Sequence, residues 1–358
     1  MWITSSLNTV LTPTAVALGN FDGLHRGHRQ VIQPILKQAV NLDSPAASGL
    51  NPDIQKTKAD SACQPPRDTN SAGIFARAEE TLRDIEAEAC YGTLLTFHPH
   101  PQEFFTGRPK QLLTPIDEKI AALKQIGVEQ LVLLPFDQKL AALTPEQFVQ
   151  EILVKHLKAQ RVSVGFDFRF GKGRTGSAED LKTIAANSGI DVTIVARYAC
   201  EQGERISSSI IRQALQQGNV RRATQLLGHS YRLVGQVVLG QQLGRTLGFP
   251  TANLQLPPEK FLPQYGVYAV RVFLQGQPSA ETTYSGVMNI GCRPTVEGQH
   301  PTVEVHVFDW SGDLYNQTLT VSLEEFLRPE QKFASLDELK AQITEDCIQA
   351  KKMLNSKE

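Results

Sequence analysis

The chain changes its structural grammar once, near His229, and that change limits what it can fold into. Upstream, apolar strand-like runs recur: TAVALG (14–19), GTLLTF (92–97), QLVLLPF (130–136), RVSVGFDF (161–168) and DVTIVARY (191–198). Helical patterns separate them, at His25–Val40, Phe75–Ala89, EKIAALKQIG (118–127), Pro145–Leu157 and AEDLKTIAANSG (178–189). Strands alternating with helices make parallel βαβ units. Two more helices, ISSSIIRQALQQG and VRRATQLLG, close this half. Downstream, YRLVGQVVLG, GVYAVRVFL, ETTYSGVMNIG, TVEVHVF and QTLTVSLEEFL are β-rich and split by Gly, Pro and Asn turns. Such spacing predicts a small antiparallel barrel or sandwich. A charged helix, SLDELKAQITEDCIQAKKML, ends it. The expectation is α/β plus β: a doubly wound parallel-sheet domain over 1–228, then a small antiparallel β-barrel with a closing helix over 229–358. Within the first domain, 41–73 is rich in Ser, Pro, Asp and Asn with little to bury. It reads as a disordered surface insertion.

Length and charge fit this reading. At 358 residues the chain exceeds the ~150 of one domain. Its 36 basic and 37 acidic side chains nearly cancel. Broad nucleic-acid or membrane-surface binding needs a net basic field, so neither partner is expected. Cys63, Cys90, Cys200, Cys292 and Cys347 form no CxxC pair. A disulfide framework and a four-ligand zinc site are both excluded. No basic n-region precedes an apolar core in MWITSSLNTV, and no apolar run approaches the ~18 residues of a span. A soluble, reduced, cytoplasmic protein is expected.

GNFDGLHRGH, Gly19 to His28, sits where a strand becomes a helix. Glycine lets backbone approach an anion there, and free N–H groups at the helix start bind it. Gly19, Asn20, Phe21, Asp22 and Gly27 belong to that phosphate-binding turn. His25 and His28, three apart, share one face and can donate to phosphate oxygens. In RISSSIIR, Ser207, Ser208 and Ser209 can cap a helix, with Arg205 before them and Arg212 a turn later. Serines so placed are often caps alone; the arginine and the upstream histidines favour pyrophosphate binding. GKGRTG (171–176) matches GxGxxG but falls too late for a dinucleotide fold, and is read as a basic loop beside the site. GxxxxGK[ST] does not occur, which excludes a P-loop kinase.

GRTLGFPTAN places Thr251 and Asn253 on one side of a strand. Neutral oxygens of this kind suit magnesium held partly by substrate phosphates. In TVEVHVF, Val303, Val305 and Val307 face one way, Glu304 and His306 the other. A carboxylate so placed is usually only solvated; beside magnesium-bound phosphates it can take a proton from a hydroxyl.

The HxGH turn resembles the nucleotidyltransferase superfamily. Eight motifs in order, GNFDGLHRGH, TFHPHP, VGFDFRFGKGRTG, RISSSIIR, GRTLGFPTAN, GVYAVRV, GVMNIGCRPTV and VEVHVFDW, resemble the bacterial bifunctional riboflavin kinase/FAD synthetases. The resemblance covers nearly the whole chain, 41–73 excepted. It implies phosphorylation of riboflavin by ATP to FMN in the C-terminal half. Adenylation of FMN by a second ATP to FAD, with pyrophosphate release, falls to the N-terminal half. It implies His25 and His28 on the ATP phosphates, and Ser208, Ser209 and Arg212, with Arg205 alongside, on the pyrophosphate. In the kinase it implies Gly244, Arg245 and Gly248 on ATP, Mg2+ on Thr251 and Asn253, and Glu304 as base. Asp167 and Phe168, with Arg328 and Phe333, are the flavin candidates. His98 replaces the acid usual in TF[E/D]PHP. Two rivals stand against this reading, a barrel that binds flavin without catalysis and an HxGH-type tRNA synthetase fragment. Thr251, Asn253 and Glu304 together oppose the first, and the lack of a KMSKS-like loop opposes the second.

Overall fold

The structure, a computed structural model, describes residues 1–36, 90–197, 206–240, 242–274, 283–295 and 298–355. The 41–73 insertion, the Phe75–Ala89 helix and Arg205 lie outside them.

The N-terminal sheet contains β1 (Trp2–Thr4), β2 (Thr14–Leu18), β3 (Tyr91–His98), β4 (Gln130–Pro135) and β5 (Ala159–Gly165). A two-strand hairpin, β6 (Arg169–Phe170) and β7 (Gly176–Ser177), precedes the last member, β8 (Asp191–Val195). Their order is β1-β4-β3-β2-β5-β8, and all neighbours are parallel. Alternate residues of β2 serve opposite faces. Val16 and Leu18 join Leu95, Val132, Val162 and Val164 against Phe148, Leu153 and Leu181. Ala15 and Ala17 join Leu94 and Leu131 against Ile32, Ile35 and Leu123. Both faces are covered, as an all-parallel sheet requires, and the doubly wound expectation holds.

Two details differ from the patterns. β1 is an added edge strand on β4, three residues long and too short to show a period. The first helix runs only Arg26–Ile32 and tightens into the turn Gln33–Ile35. Pro34 explains the stop, because it has no N–H for the next intrahelical bond.

The C-terminal barrel comprises β9 (Arg232–Val238), β10 (Ala252–Gln255), β11 (Gly266–Leu274), β12 (Thr283–Thr295), β13 (Gly298–Val307) and β14 (Thr318–Pro329). It closes in the order β10-β13-β12-β11-β14-β9, antiparallel throughout. Tyr268, Val270 and Val272 point inward with Met288, Ile290, Val305 and Val321. Val267 and Ala269, on the other side of β11, pack on Ala350 and Leu354 of the closing helix Leu336–Asn355.

The helices Ser208–Gln216 and Val220–Leu227 pack with the barrel. Ile211, Leu215, Ala223, Leu226 and Leu227 share one buried cluster with Tyr231, Leu233 and Val237 of the barrel's first segments. Leu113, from the N-terminal half, joins the same cluster. Leu226→Ala removes a fully buried side chain from it and is expected to cost about 2–5 kcal/mol. Hydrogen exchange should then show lost protection in β9 and β14 while β2 and β3 keep theirs. Equal loss in β2 and β3 would assign these helices to the sheet.

Two candidate active sites

Chain order leaves β2 toward β3 on one side and returns to β5 on the other. Ligands of open α/β sheets bind at such a reversal, outside the C-terminal strand ends. A cavity of about 790 Å³ lies there, lined by Gly19, Asn20, Phe21, Asp22, His25, Gly27 and His28 after β2. Gly165, Asp167 and Phe168 after β5 and Ser207, Ser208 and Ser209 at a helix start complete its floor. The two motifs that suggested a phosphate site thus meet in one cavity, and the flavin candidates Asp167 and Phe168 line it too.

The loop after β2 is sharply bent, with positive φ at Phe21, Gly23 and Leu24. At Gly23, φ is +95° and a Cβ would sit 3.0 Å from Leu113; glycine meets both demands. Asp22 is buried. Its Oδ1 accepts from the Thr114 N–H at 3.1 Å, its Oδ2 pairs with Arg212, and its carbonyl accepts from Ser208 Oγ at 2.8 Å. Arg212 also donates to the Gln111 carbonyl at 3.0 Å. It thus grips the loop and lies outside the cavity wall, whereas the pyrophosphate role had pointed it into the cavity.

His25 caps the helix Arg26–Ile32: its Nδ1 accepts from the His28 N–H at 3.2 Å. That bond leaves the proton of the neutral ring on Nε2, as a donor. The two imidazoles stack with centroids 3.5 Å apart. Burial lowers His25 to about 4, outweighing the opposing pull of Asp22. Burial and then His25 hold His28 well below its ordinary value, and its Nδ1 has no partner. Near neutral pH both rings are therefore uncharged and offer hydrogen bonds to the cavity without charge.

Several other residues, to which the sequence motifs gave no specific role, line the wall. His100, in PHP, caps the helix Pro101–Thr106 through Nδ1, and Lys110 Nζ meets its Nε2 at 3.2 Å. Burial, then Lys110, lowers His100 to about 4. Phe105 and Phe136 meet edge to face, centroids 5.8 Å apart, and give the cavity an aromatic side. Arg174, from the GKGRTG loop, and Arg197 also reach the wall, so that loop stands beside the site as read. His98 is exposed and lies off the wall.

In the barrel, Thr251, Asn253 and Glu304 share the outer side, as their alternation predicts. Thr251 Oγ1 donates to Glu304 Oε2 at 3.3 Å. Glu304 lies in register between Asn253 on β10 and Asn289 on β12. Asn289, in VMNIG, went unnoticed because its neighbour in space is set by β-pairing. Gly244 lies in the first turn of the short helix Leu243–Leu247 and Gly248 caps its end, and a Cβ at Gly244 would strike the Phe249 carbonyl. Arg245 is exposed on that helix. Hard oxygens from Thr251, Asn253 and Glu304 fit a magnesium ion shared with nucleotide phosphates. Among the described residues no group of three His, Cys, Asp or Glu could hold a metal. Arg328 is occupied elsewhere. Its Nε and Nη2 donate to the two carboxylate oxygens of buried Asp346 at 2.9 and 2.8 Å, and its guanidinium lies over Phe333. This pair clamps the closing helix and holds Arg328 beside Phe333.

The lowered histidine pKa values set a pH dependence. Unfolded His25 takes a proton near 6.5, while the folded ring resists until about 4. Stability is complete above 6.5 and is lost as pH falls toward 4. At pH 5 the expected loss from His25 is on the order of 1–2 kcal/mol. His25→Asn keeps a capping acceptor without titrating. Thermal melts from pH 7.5 to 5 should show a shallower decline in that variant; an unchanged slope refutes the assignment.

A family model for FAD synthetase matches residues 7–49 and 74–210, and one for riboflavin kinase matches 227–354. The bifunctional riboflavin kinase/FMN adenylyltransferase of Escherichia coli K12 is 38% identical, over 94% of this chain and 91% of its own. Those of Haemophilus influenzae and Bacillus subtilis are 34% and 33% identical, over 98% and 93% of this chain and 97% and 90% of theirs. A solved Streptococcus pneumoniae chain described as a macrolide-efflux protein superposes with a TM-score of 0.72 at 29% identity, covering 96% of each. Among the described residues no helix is long and apolar enough to cross a membrane. By matches over both halves and nearly the full length, the chain belongs to the bifunctional riboflavin kinase/FMN adenylyltransferase family.

Proposed function

We propose that residues 229–358 phosphorylate riboflavin with ATP to FMN and that residues 1–228 adenylate FMN with a second ATP to FAD. The observation that carries this is one chain holding two differently equipped sites. Stacked neutral histidines and a serine helix start meet at the sheet reversal, and a Thr251–Glu304 contact lies on the barrel.

In adenylation an FMN phosphate oxygen bonds to the α-phosphorus of ATP. The α–β bridging bond breaks and its electron pair leaves with pyrophosphate. The nucleophile is already anionic, so the site needs positioning and charge stabilisation, without a strong base. His25 Nε2–H donates to the phosphates, His28 stacks beside it, and the N–H groups following Ser207 receive the pyrophosphate. Phe105, Phe136, Asp167 and Phe168, all on the cavity wall, would bound the space for the flavin ring.

In the kinase the terminal ribityl hydroxyl bonds to the γ-phosphorus and ADP leaves. A neutral hydroxyl is a poor nucleophile, and Glu304 takes its proton. Magnesium, when bound, neutralises charge developing on the transferred phosphoryl group. Thr251 and Asn253 would hold it, and the Thr251 hydroxyl also orients Glu304. Gly244, Arg245 and Gly248 border the same side, where the nucleotide would lie.

Riboflavin incubated with magnesium and ATP should give FMN first and FAD second, read by chromatography. His28→Ala should cut FAD formation by about 10²-fold or more and spare FMN formation. Glu304→Ala should cut FMN formation similarly and leave FAD formation from supplied FMN intact. Loss of both activities from either change in a folded chain would overturn the two-site assignment.

A further inference from the structure

The proposed adenylation loop holds an anion where phosphates must bind. Asp22 is 4% exposed. Both histidines above it are kept neutral by burial and bring hydrogen bonds without charge. Arg212 pairs with Asp22, so the two charges offset each other. A further cation stands behind the loop. Lys119, in the first turns of the helix Ile116–Ile126, is 6% exposed and donates from Nζ to the Asn20 carbonyl at 3.0 Å. The Thr96 hydroxyl donates to the same carbonyl at 3.2 Å. Lys119 does not reach the cavity wall; Asn20, which it holds, does.

Its position is fixed from both ends. Thr114, two residues before the helix, bonds Asp22 through its N–H and the Gly23 N–H through its hydroxyl. Glu118, the residue before Lys119, faces the other way and pairs with Lys260 of the barrel half at 2.6 Å. Adjacent residues of one turn thus carry opposite charges to opposite partners. Burying an ammonium is expensive, and a single carbonyl contact could be made by a neutral donor. With Asp22 and Arg212 cancelling, the charge of Lys119 is what leaves the loop base net positive.

We propose that Lys119 is a positioning residue for adenylation: from behind the loop its ammonium fixes the Asn20 carbonyl and supplies the positive charge that the bound phosphates meet. This rests on reading the sheet cavity as the adenylation site. The charged and titratable groups facing Lys119 are Asp22 from the loop, His28 from the helix after it and His100 from the turn before Pro101. Burial brings the amine down to about 8 against the opposing pull of Asp22. Adenylation should then fall as pH rises through 8, because deprotonation removes the charge. Lys110, on the cavity wall beside His100, is also lowered by burial and is the competing source of such a limb.

The test is the pH profile, from 7 to 10, of FAD formation from FMN by the full chain, with FMN formation from riboflavin as internal reference. Wild type should show an alkaline limb near 8 in adenylation that the kinase reaction lacks. Lys119→Arg, which stays charged, should retain adenylation within about threefold at pH 7.5 and lose the limb below pH 9. Lys119→Met should lower its kcat at pH 7.5 by about 10–100-fold and flatten the profile, with kinase turnover within about twofold. The proposal is overturned if wild type shows no limb, if the limb stays near 8 in Lys119→Arg, or if that variant falls as far as Lys119→Met. It is also overturned if Lys119→Met stays within twofold. Should Lys119→Met not fold, the wild-type and arginine profiles decide alone. No FAD from FMN and ATP by wild type would instead sink the reading of the cavity itself.

Discussion

A buried carboxylate must be paired or it destabilises the fold by several kcal/mol, and the N-terminal site is organised around meeting that demand at Asp22. Its partners come from two segments distant in sequence. Thr114 donates from the residue that opens the path to the helix Ile116–Ile126, Arg212 from the serine helix, and Ser208 closes on the Asp22 carbonyl. The histidine turn, the serine helix start and the segment at 111–114 are thereby drawn to one point. The sheet-end cavity is the space these segments enclose around Asp22.

The same segments tie the sheet to the barrel. Leu112 exchanges backbone hydrogen bonds with Glu259 and Phe261, and Lys260 reaches back to the Leu113 carbonyl and Glu118. Arg212, already on Asp22, lies 5.6 Å from the Phe261 ring, and His229 reaches the Gly23 carbonyl. A buried ion pair such as Lys260–Glu118 adds little net stability but strongly disfavours arrangements that leave either charge unpaired. It specifies how the halves meet. The proposed adenylation loop is therefore built partly from contacts to the barrel half.

What was legible in the sequence follows from what local physics can encode. The β2, β3, β4, β5 and β8 strands showed as apolar runs because an all-parallel sheet buries both faces of each. Val303, Val305 and Val307 gave the barrel's inner face by their period alone, leaving Glu304 outward. The HxGH turn was legible because glycine and histidine are rare enough together at a strand end to mean anion chemistry. Tertiary choices were not legible. Arg212 and Arg328 looked like ligand-binding cations, yet each is paired with a buried aspartate, Asp22 and Asp346, that nothing local connects to it. Lys119 reads as an ordinary polar position on an amphipathic helix, and only packing shows it buried. Asn289 gains its place from the β12–β13 register. The helices 208–227 follow the sheet in sequence but share the barrel's cluster, because their apolar stripes match Tyr231 and Leu233.

The two halves divide phosphate chemistry according to their nucleophiles. An FMN phosphate arrives charged, and a charged base beside it would repel it. For the proposed phosphate site, neutral histidines would be the better donors, and burial is what keeps His25 and His28 neutral near the pH where a phosphate is anionic. A ribityl hydroxyl arrives uncharged and needs a proton acceptor; Glu304, the proposed one, is half-exposed on the barrel, bonded by Thr251 and flanked by asparagines. On the proposed assignments, exchanging the two sets of groups would disable both reactions: a carboxylate would repel FMN, and buried neutral imidazoles would leave the hydroxyl without a base of adequate strength. Neither solution needs a charged surface. Each places a few donors or acceptors at one strand end, which is why a chain with 36 basic and 37 acidic side chains can handle polyanionic ligands.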